Sequence, residues 1–292
     1  MIRAVRGMVR FVGDRSYAAI GVGYAPGGAQ DRYSCALGNI LLGNPPTAGA
    51  LECTMAPAQF RVEQACRILV GGAPVEVRVN GVRRRRWEVL GTDAGSRVEL
   101  RPTGVGCRSY LCVGGGIVPG ENAFEDKSYA VGEARHVVDP GVGSQDWDRK
   151  WEPAPGVLRI LPGPEFSEAA EKGLQDGSWQ VSRQSSGMGA VLEGLPLGLA
   201  SHDILSAPVQ DGSVQSTGKG LIALLRDRGT LGGYPRVATV IDCDVDRLAQ
   251  LLPGNRVRFE LVDRNEARRL CLLQEKALLR VVAAVRESTG QA

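Results

Sequence analysis

Histidine is scarce in this sequence, and its scarcity limits the chemistry that the chain can perform. The 292 residues include two histidines, His136 and His202. A Ser-His-Asp triad needs histidine as its general base, yet neither histidine stands in a suggestive pattern, and Ser186 lacks the flanking residues of a nucleophile elbow. We therefore expect both histidines to be ordinary surface residues.

An excess of charge of one sign is also missing. The chain has 35 basic and 32 acidic residues, which gives a net charge of +3. This balance provides no strong field to attract nucleic acid or an anionic membrane. The run Arg83–Arg86 is concentrated, and we interpret it as the solvated arm of a hairpin, with an anionic substrate or an acidic partner surface as the alternative.

Patterns typical of metal centres, disulfide frameworks and membrane spans are absent from the sequence. The seven cysteines are odd in number, form no Cys-x-x-Cys pair and have no histidine nearby at metal spacing. We expect reduced core thiols and no metal. The N-terminus lacks the apolar stretch of a signal peptide, and no segment approaches the roughly 20 apolar residues of a membrane helix. A cytoplasmic location is the expectation.

The length and the hydrophobic pattern predict a mainly β protein with a few helices. Apolar and polar residues alternate through most of the chain, with frequent glycines. The length of 292 residues suits two halves, each with its own core. Prolines and weak periodicity between Gly120 and Gly156 place the boundary near residue 150, so the predicted halves are 1–150 and 151–292.

A hairpin from Pro74 to Leu90 is the clearest predicted element. Valines alternate with polar residues up to Asn80-Gly81, the pair best suited to a tight two-residue turn with positive φ. Further strands are predicted at 97–101, 107–113, 158–161, 221–226, 237–241 and 256–262.

Three segments have helical periodicity. Apolar residues recur at i, i+4, i+7 and i+8 between Asp31 and Leu42, and Gly43-Asn44-Pro45 ends that helix. A shorter helix is predicted at Val245–Leu252. The last helix is predicted to begin at Asp263-x-x-Glu266, which resembles a capping box. Its apolar face consists of Ala267, Leu270, Ala277, Val281 and Val285.

Glycine-rich segments invite a nucleotide-binding interpretation that their spacing does not support. In Gly212–Lys219 the glycines have the wrong spacing for a P-loop, and glycine follows Lys219 where Ser or Thr should bind magnesium. Gly21-x-Gly23 lacks a third glycine, and Gly114-Gly115-Gly116 is not followed by a helical pattern. We predict turns or tight bends at these glycines.

The segment Asp211–Pro235 is the strongest candidate for a site. A buried strand delivers Arg226, Asp227 and Arg228 to its end, and a Gly-Gly-Tyr-Pro turn follows. Charge and flexible backbone at one edge often form a site. The alternative is an Arg-Asp-Arg ion cluster that stitches a loop, and the residues alone leave both open.

Motifs along nearly the whole chain resemble the family of the 5-oxoprolinase C subunit, also known as KipA or allophanate hydrolase subunit 2. The motifs in sequence order are Gly27-Gly-Ala-Gln-Asp-Arg32, Gly43-Asn-Pro45, Ala50-Leu-Glu52, Arg108-Ser-Tyr-Leu-Cys-Val-Gly-Gly-Gly116, Leu161-Pro-Gly-Pro164, Gly212-Ser-Val-Gln215, Asp227-Arg228-x-Thr230-x-Gly-Gly-Tyr-Pro235 and Leu248-Ala-Gln-Leu-Leu-Pro-Gly254. Each is weak alone, and together they are specific.

The resemblance implies a fold, an activity and partners. The fold would be two cyclophilin-like β-barrel halves, 1–150 and 151–292 with a terminal helix in the second. The chain would act with the KipI-type B subunit of 5-oxoprolinase and with its A subunit, and the complex would open 5-oxoproline to glutamate at the expense of ATP with Mg²⁺, with no covalently bound cofactor. The alternatives are the carboxyltransferase component of a urea carboxylase-like or allophanate hydrolase system, and a non-catalytic regulatory partner of a KipI-type protein.

The resemblance also suggests site residues for this chemistry. A lactam carbonyl must be activated, so positive and hydrogen-bonding groups are needed around the developing oxyanion and the substrate carboxylate. The catalytic candidates are Asp227, Arg228, Gln215 and Arg32. The substrate-binding candidates are Asp31, Thr230, Gly232, Gly233, Tyr234, Lys219 and Met188.

The chain departs from the family pattern in three places. An Asp-Arg pair is replaced by Ser186-Gly187, a Gly-Ser-Arg-Ser-Thr segment by Glu121–Tyr129, and Gly-Gln-Pro by Gly218-Lys219-Gly220. Loss of an arginine and of a Ser-Thr segment predicts either a different substrate or lost catalysis.

Overall fold

The computed structural model of the chain describes residues 1–119, 128–132, 154–199, 201 and 203–289. The chain divides into two compact units. The first unit comprises residues 1–14, 31–148 and 276–292, and the second comprises residues 15–30 and 149–275. The predicted halves remain a prediction, because residues 133–153 around the proposed boundary lie outside the described residues, as do both histidines.

The first unit is built from two antiparallel sheets around an apolar core. The strands are β1 (Ile2–Arg6), β2 (Val9–Val12), β3 (Ala50–Thr54), β4 (Ala58–Val62), β5 (Cys66–Gly72), β6 (Val75–Val79), β7 (Val82–Arg84), β8 (Leu90–Thr92), β9 (Arg97–Pro102), β10 (Arg108–Val113), β11 (Ile117–Pro119) and β12 (Ser128–Val131). One sheet has seven strands in the order β11-β12-β1-β4-β9-β6-β7, and the other has five in the order β2-β3-β10-β5-β8. Alternate residues such as Val75, Val77 and Val79 face this core, which is why the strands alternate in polarity.

The predicted hairpin and its turn are confirmed, but the returning strand ends at Arg84 and not near Leu90. Val79 pairs with Val82, so Asn80 and Gly81 form a two-residue loop, and both have positive φ, 51° and 81°. Such a turn matches the right-handed twist of the flanking strands. The exposed Arg83 and Arg84 lie on the returning strand, as expected for a solvated arm.

The first helix, α1 (Arg32–Leu41), matches the predicted helix closely. Asp31 caps it, because its carboxylate accepts hydrogen bonds from the Ser34 backbone N–H at 2.9 Å and from the Ser34 hydroxyl at 2.7 Å. The predicted apolar stripe, including Leu37 and Ile40, is buried. The helix therefore forms because a strong cap and a continuous apolar face coincide.

The second unit contains a closed seven-stranded barrel. Its strands are β13 (Val157–Pro162), β14 (Trp179–Val181), β15 (Gly189–Glu193), β17 (Ser213–Ser216), β18 (Gly220–Leu224), β20 (Arg236–Val240) and β21 (Arg256–Leu261). Their order around the barrel is β13-β20-β17-β18-β15-β14-β21. A small separate pair joins β16 (Ala207–Pro208) to β19 (Leu231–Gly232). The barrel closes through a parallel pairing of β13 with β21. Closure leaves no exposed sheet edge, and Trp179, fully buried, anchors the core. The predicted mainly β class with a few helices is confirmed.

Helices of the second unit differ in part from the sequence prediction. Ser167 caps α2 (Glu168–Asp176), which was not predicted. Helix α3 (Asp242–Leu248) begins three residues before the predicted Val245, because the acidic Asp242 and Asp244 favour the positive end of the helix dipole. The same helix ends at Leu248, so the predicted end at Leu252 is wrong. Helix α4 (Arg264–Thr289) begins where predicted, and Asp263 accepts from the Glu266 N–H at 2.8 Å.

The remaining sequence expectations concern glycines, thiols and the late strand. Gly212–Lys219 lies on a β-hairpin rather than in a P-loop, since β17 and β18 pair across it. All seven cysteines are free, and Cys66 and Cys271 are partly exposed. The strand predicted at 221–226 ends at Leu224, because Arg226 turns away to ion-pair partners. No helix in the described part combines the length and apolarity that crossing a bilayer requires.

Candidate anion-binding site

The second unit contains an open cleft with a volume of about 500 Å³ that is rich in arginine. Its walls come from residues 15–17, the turn before β17, the loop after β18, the end of β20 and the first turns of α4. The charged residues that line this arginine cleft are Arg15, Asp211, Arg228, Asp242, Arg264 and Arg268. Four guanidinium groups against two carboxylates give the cleft a positive potential that favours an anion.

Asp211 stands at the centre of the charge arrangement. Its carboxylate oxygens lie 2.6 Å from the Arg15 guanidinium, 2.9 Å from Nε of Arg228 and 3.1 Å from Nη1 of Arg226. Burial alone would raise the pKa of Asp211, but the three guanidinium charges outweigh burial and lower that pKa below its ordinary value. Asp211 therefore stays ionised and fixes the direction of Arg228.

Arg226 is fully buried behind the cleft and acts as a structural hub. Its Nη2 donates to Asp246 at 2.7 Å, and its Nε donates to the backbone oxygen of Gln30 at 3.1 Å. The Gln30 side chain in turn accepts from the Arg226 backbone N–H. Burial would lower the pKa of Arg226, yet the aspartates around it raise that pKa, so the charge persists. The structural ion cluster that the sequence suggested as an alternative therefore exists around Arg226.

Two arginines on α4 supply the part of the cleft that remains available to a ligand. Arg264 and Arg268 are four residues apart, so both project from one face of the helix, and both are exposed. Across the described ranges, neither side chain takes part in an ion pair or hydrogen bond. Guanidinium groups bind carboxylate and phosphate oxygens through paired N–H donors. The cleft can therefore hold a carboxylate or a phosphate group.

Of the predicted catalytic residues, Arg228 lines the cleft and Asp227 points to a different place. The Asp227 backbone N–H donates to the Gly187 oxygen at 3.2 Å, and a Cβ on Gly187 would lie 2.4 Å from Oδ2 of Asp227. Gln30 also donates to the Gly187 oxygen, at 2.9 Å. A side chain at position 187, such as the arginine expected from the resemblance, would therefore meet the Asp227 carboxylate. Met188 follows, 56% exposed.

Among the other predicted residues of the second unit, Tyr234 and Gly232 lie beside Gln215. Its Nε2 donates to the Tyr234 backbone oxygen at 3.2 Å, and a Cβ on Gly232 would lie 2.4 Å from that nitrogen. Thr230 and Gly233 contribute backbone oxygens to Val209 and Ile204, respectively. Lys219 is exposed at the hairpin tip. Gln215 and its neighbours do not line the arginine cleft.

Asp31 and Arg32 belong to the first unit, at the start of α1. Arg32 is exposed, whereas Asp31 is buried and caps the helix. The Asp31 backbone N–H donates to the Tyr110 hydroxyl, which itself donates to Glu52 Oε2, both at 2.8 Å. Burial, with the nearby Glu52 carboxylate, raises the pKa of Tyr110. Three motifs of the family resemblance thus meet in one buried polar network.

Sequence reasoning missed Arg15, Arg264 and Arg268 as contributors to a site. Arg15 lies almost 200 residues from its partner Asp211, a separation that no local pattern reveals. The i, i+4 spacing of the two helix arginines is a signal that the sequence did offer. No group of three metal-ligating side chains is arranged for an ion within the described ranges. Of the departing segment Glu121–Tyr129, residues 121–127 lie outside the described residues.

Comparison with known proteins places these features in context. A family model described as "Carboxyltransferase domain, subdomain A and B" matches residues 22–261. The C subunit of 5-oxoprolinase from Escherichia coli (strain K12) is 33% identical over 261 residues, which cover 82% of this chain and 84% of that protein.

Solved structures share the fold over most of this chain. TTHA0988 is 26% identical, with a TM-score of 0.73 over 88% of this chain. The Kluyveromyces lactis urea carboxylase is 22% identical, with a TM-score of 0.80 over 96% of this chain, and that likeness shows the fold alone. This chain spans 54% of TTHA0988 and 29% of the urea carboxylase.

Proposed function

The chain belongs to the carboxyltransferase domain family with subdomains A and B, and from that premise we propose that it is a subunit of an ATP-dependent 5-oxoprolinase complex. The observation that carries the proposal is the 33% identity, over 82% of this chain, with a protein named as the C subunit of 5-oxoprolinase. The arginine cleft supports it, because both 5-oxoproline and its product glutamate carry a carboxylate that guanidinium groups bind well.

The proposed complex contains a KipI-type B subunit together with an A subunit, and it acts in the cytoplasm. The word subunit in the relative's name supports the need for partners. The segment of this chain that resembles a P-loop is a β-hairpin, which does not fit a triphosphate. We therefore assign ATP with Mg²⁺ to the partner subunits, where it would supply activation of the lactam, and no step within this chain depends on it.

The arginine cleft would position the substrate through its carboxylate. Arg264 and Arg268 would form the paired contact, since their side chains make no other ion pair within the described ranges. Arg228, held in place by Asp211 at 2.9 Å, would stabilise negative charge that develops at the carbonyl oxygen. Asp227, Gln215 and the other motif residues remain proposed contributors to catalysis and substrate binding.

Carboxyl transfer is the second candidate. It is favoured by the description of the matching family model. In that reaction a carboxybiotin carried by another protein would be the donor, and the same cleft would hold a carboxylate. The two candidates differ in their substrates, so one assay with both substrates separates them.

The test is to purify the chain together with its neighbouring subunits and measure phosphate and glutamate release that depends on 5-oxoproline. We expect both products in equal amounts. Arg228→Ala should lower turnover at least about 100-fold, as loss of a charge-stabilising donor does. Arg256→Ala serves as the matched control, because Arg256 is an exposed arginine of the same unit outside the cleft.

Three outcomes would contradict the proposal. An intact complex that releases no phosphate with 5-oxoproline would exclude this substrate, and carboxylation from carboxybiotin would then favour the second candidate. Equal turnover of Arg228→Ala and Arg256→Ala would remove the arginine cleft from the reaction. A complex that binds its partners without turning over any substrate would indicate a regulatory role.

A further inference from the structure

Three arginines stand side by side on the outer face of the seven-stranded sheet in the first unit. Arg61 on β4 is directly opposite Arg3 on β1 and also directly opposite Arg97 on β9. All three arginines are exposed, whereas the adjacent Val62 and Val98 are fully buried on the core face. Side chains that are directly opposite on neighbouring strands lie about 5 Å apart at Cβ. The three therefore form a continuous positive row, which we call the arginine row.

The arginine row is unfavourable for the fold itself. Like charges that are directly opposite in a sheet destabilise it. Glu63 lies 3.4 Å from the Arg3 guanidinium and offsets part of that charge. The side chains of Arg61 and Arg97 make no hydrogen bond or ion pair with any residue that the structure describes. A neutral or acidic residue at position 61 would stabilise the sheet better than the arginine that is present.

Protection of a sheet edge does not explain the arginine row. Charged side chains on an edge strand prevent association with other sheets, and this accounts for the exposed Arg83 and Arg84 on β7, which is the last strand of the sheet. Strands β1, β4 and β9 are interior strands with a neighbour on each side. The row therefore lies where no edge needs a charge, which indicates a surface whose charge is used in binding.

The rest of this sheet face carries charges of both signs. Arg78 pairs with Glu76 at 2.7 Å, and Arg101 lies 3.6 Å from Glu99. These carboxylates repel a chain of phosphates or an anionic membrane, both of which uniformly basic surfaces attract. Within β1, β4, β6 and β9, the exposed large apolar side chain is Val5, which cannot stack on a base as an aromatic ring does. Mixed charge with unpaired arginines is better suited to a protein surface.

We propose that the arginine row is a docking surface for a partner protein that presents carboxylate side chains. Arg61 and Arg97 each bind a carboxylate through paired N–H donors. Arg3 adds to the positive potential at the end of the row. A partner carboxylate beside Arg61 offsets the repulsion within the row, so binding removes the cost that the free chain carries. This docking role is independent of the proposed enzymatic activity.

The first experiment measures the repulsion in the free full-length chain. Arg61→Glu places a carboxylate between two guanidinium groups, and we expect its melting temperature to exceed that of the wild type by about 1–4 °C. Arg67→Glu is the matched control, because Arg67 is an exposed strand residue that is opposite Gly91 and not opposite an arginine. We expect no rise in this control. A lower melting temperature for Arg61→Glu than for Arg67→Glu would overturn the premise that the row is repulsive.

The second experiment measures binding of fluorescently labelled poly-L-glutamate, which stands in for an acidic protein surface. The double variant Arg61→Glu/Arg97→Glu is compared with Arg67→Glu/Arg256→Glu, which has the same net charge and changes exposed arginines outside the row. We expect affinity to fall at least about tenfold in the row variant relative to this control. We also expect the binding to weaken as salt is added, because exposed charges are screened.

The arginine cleft is removed as a competing site, so all proteins in the binding comparison also carry Arg264→Ala and Arg268→Ala. Single-stranded DNA and phosphatidylserine vesicles serve as parallel probes, and we expect both to bind more weakly than poly-L-glutamate. Equal affinity of the row variant and its control for poly-L-glutamate would overturn the docking role. Preferential binding of DNA or vesicles that is lost in the row variant would overturn the assignment to a protein partner.

Discussion

Asp211→Asn is the substitution that tests the charge arrangement of the second unit most directly. Asparagine has nearly the same shape as aspartate, so the change removes the negative charge and leaves the packing in place. The Asp211 side chain is 10% exposed and contacts three guanidinium groups within 3.1 Å. Without its charge, the cluster keeps its positive members and loses their shared anion.

The size of the effect follows from what each arginine keeps. Arg226 is fully buried but keeps Asp246 at 2.7 Å. Arg228 keeps the Gly229 backbone oxygen at 3.0 Å, and the Arg15 side chain is 15% exposed and gains water. Breaking a buried pair from one side costs about 3–5 kcal/mol, and these remaining contacts favour the lower end. We expect a loss of about 3 kcal/mol, or roughly 6–12 °C in melting temperature.

The pH dependence supplies an independent check. Three arginines lower the pKa of Asp211 in the folded protein below the value of 3.8 for an unperturbed group. The stabilisation is therefore complete above that value and is lost as the pH falls through the lower folded pKa. The gap in melting temperature between wild type and Asp211→Asn should be constant from pH 7 to pH 5 and should narrow toward pH 3.

Circular dichroism melts of wild type, Asp211→Asn and the control Asp203→Asn measure this gap. Asp203 is exposed, and its side-chain charge makes no ion pair among the described residues, so its variant should melt with the wild type. A loss of stability below about 1 kcal/mol in Asp211→Asn at pH 7 would refute the reasoning, since such a value is typical of a surface pair. A gap that is unchanged at pH 3 would refute the assignment to the Asp211 charge.

Three further substitutions test separate parts of the molecule. Asp31→Ala removes two bonds to Ser34 and should destabilise the protein by about 1–2 kcal/mol in urea unfolding; an unchanged midpoint would show that the cap adds nothing. Gly232→Ala places a Cβ 2.4 Å from Nε2 of Gln215, so turnover of the assembled complex should fall if Gln215 takes part, and unchanged turnover argues against a role. Trp179→Ala opens a cavity at a fully buried site and should cost about 3–5 kcal/mol, whereas a loss below about 1 kcal/mol would contradict its place in the core.

Local signals predicted the local structure well. Asn80-Gly81 specified its turn because two consecutive residues there tolerate positive φ. Asp263 specified the start of α4 because its side chain satisfies an otherwise unpaired amide. The missed helix α2 had a comparable signal in Ser167, which accepts a hydrogen bond from the Ala170 N–H at 3.2 Å.

The candidate site was harder to predict because its members are distant in sequence. The Arg226–Arg228 segment suggested either a structural ion cluster or a site, and the structure contains both. Arg226 is buried in the cluster, while Arg228 lines the cleft. Arg15 could not be associated with Asp211 from the sequence, because only the tertiary fold brings them within 2.6 Å.

The buried hub around Arg226 has a practical consequence for dissecting this protein. Its hydrogen-bond acceptors include Gln30 from the N-terminal segment as well as Asp211 and Asp246 from the barrel region. A fragment that starts at residue 149 would contain the guanidinium group without the Gln30 acceptors. The barrel therefore cannot be treated as a portable module encoded by one uninterrupted stretch, and experiments that express it alone should retain residues 15–30.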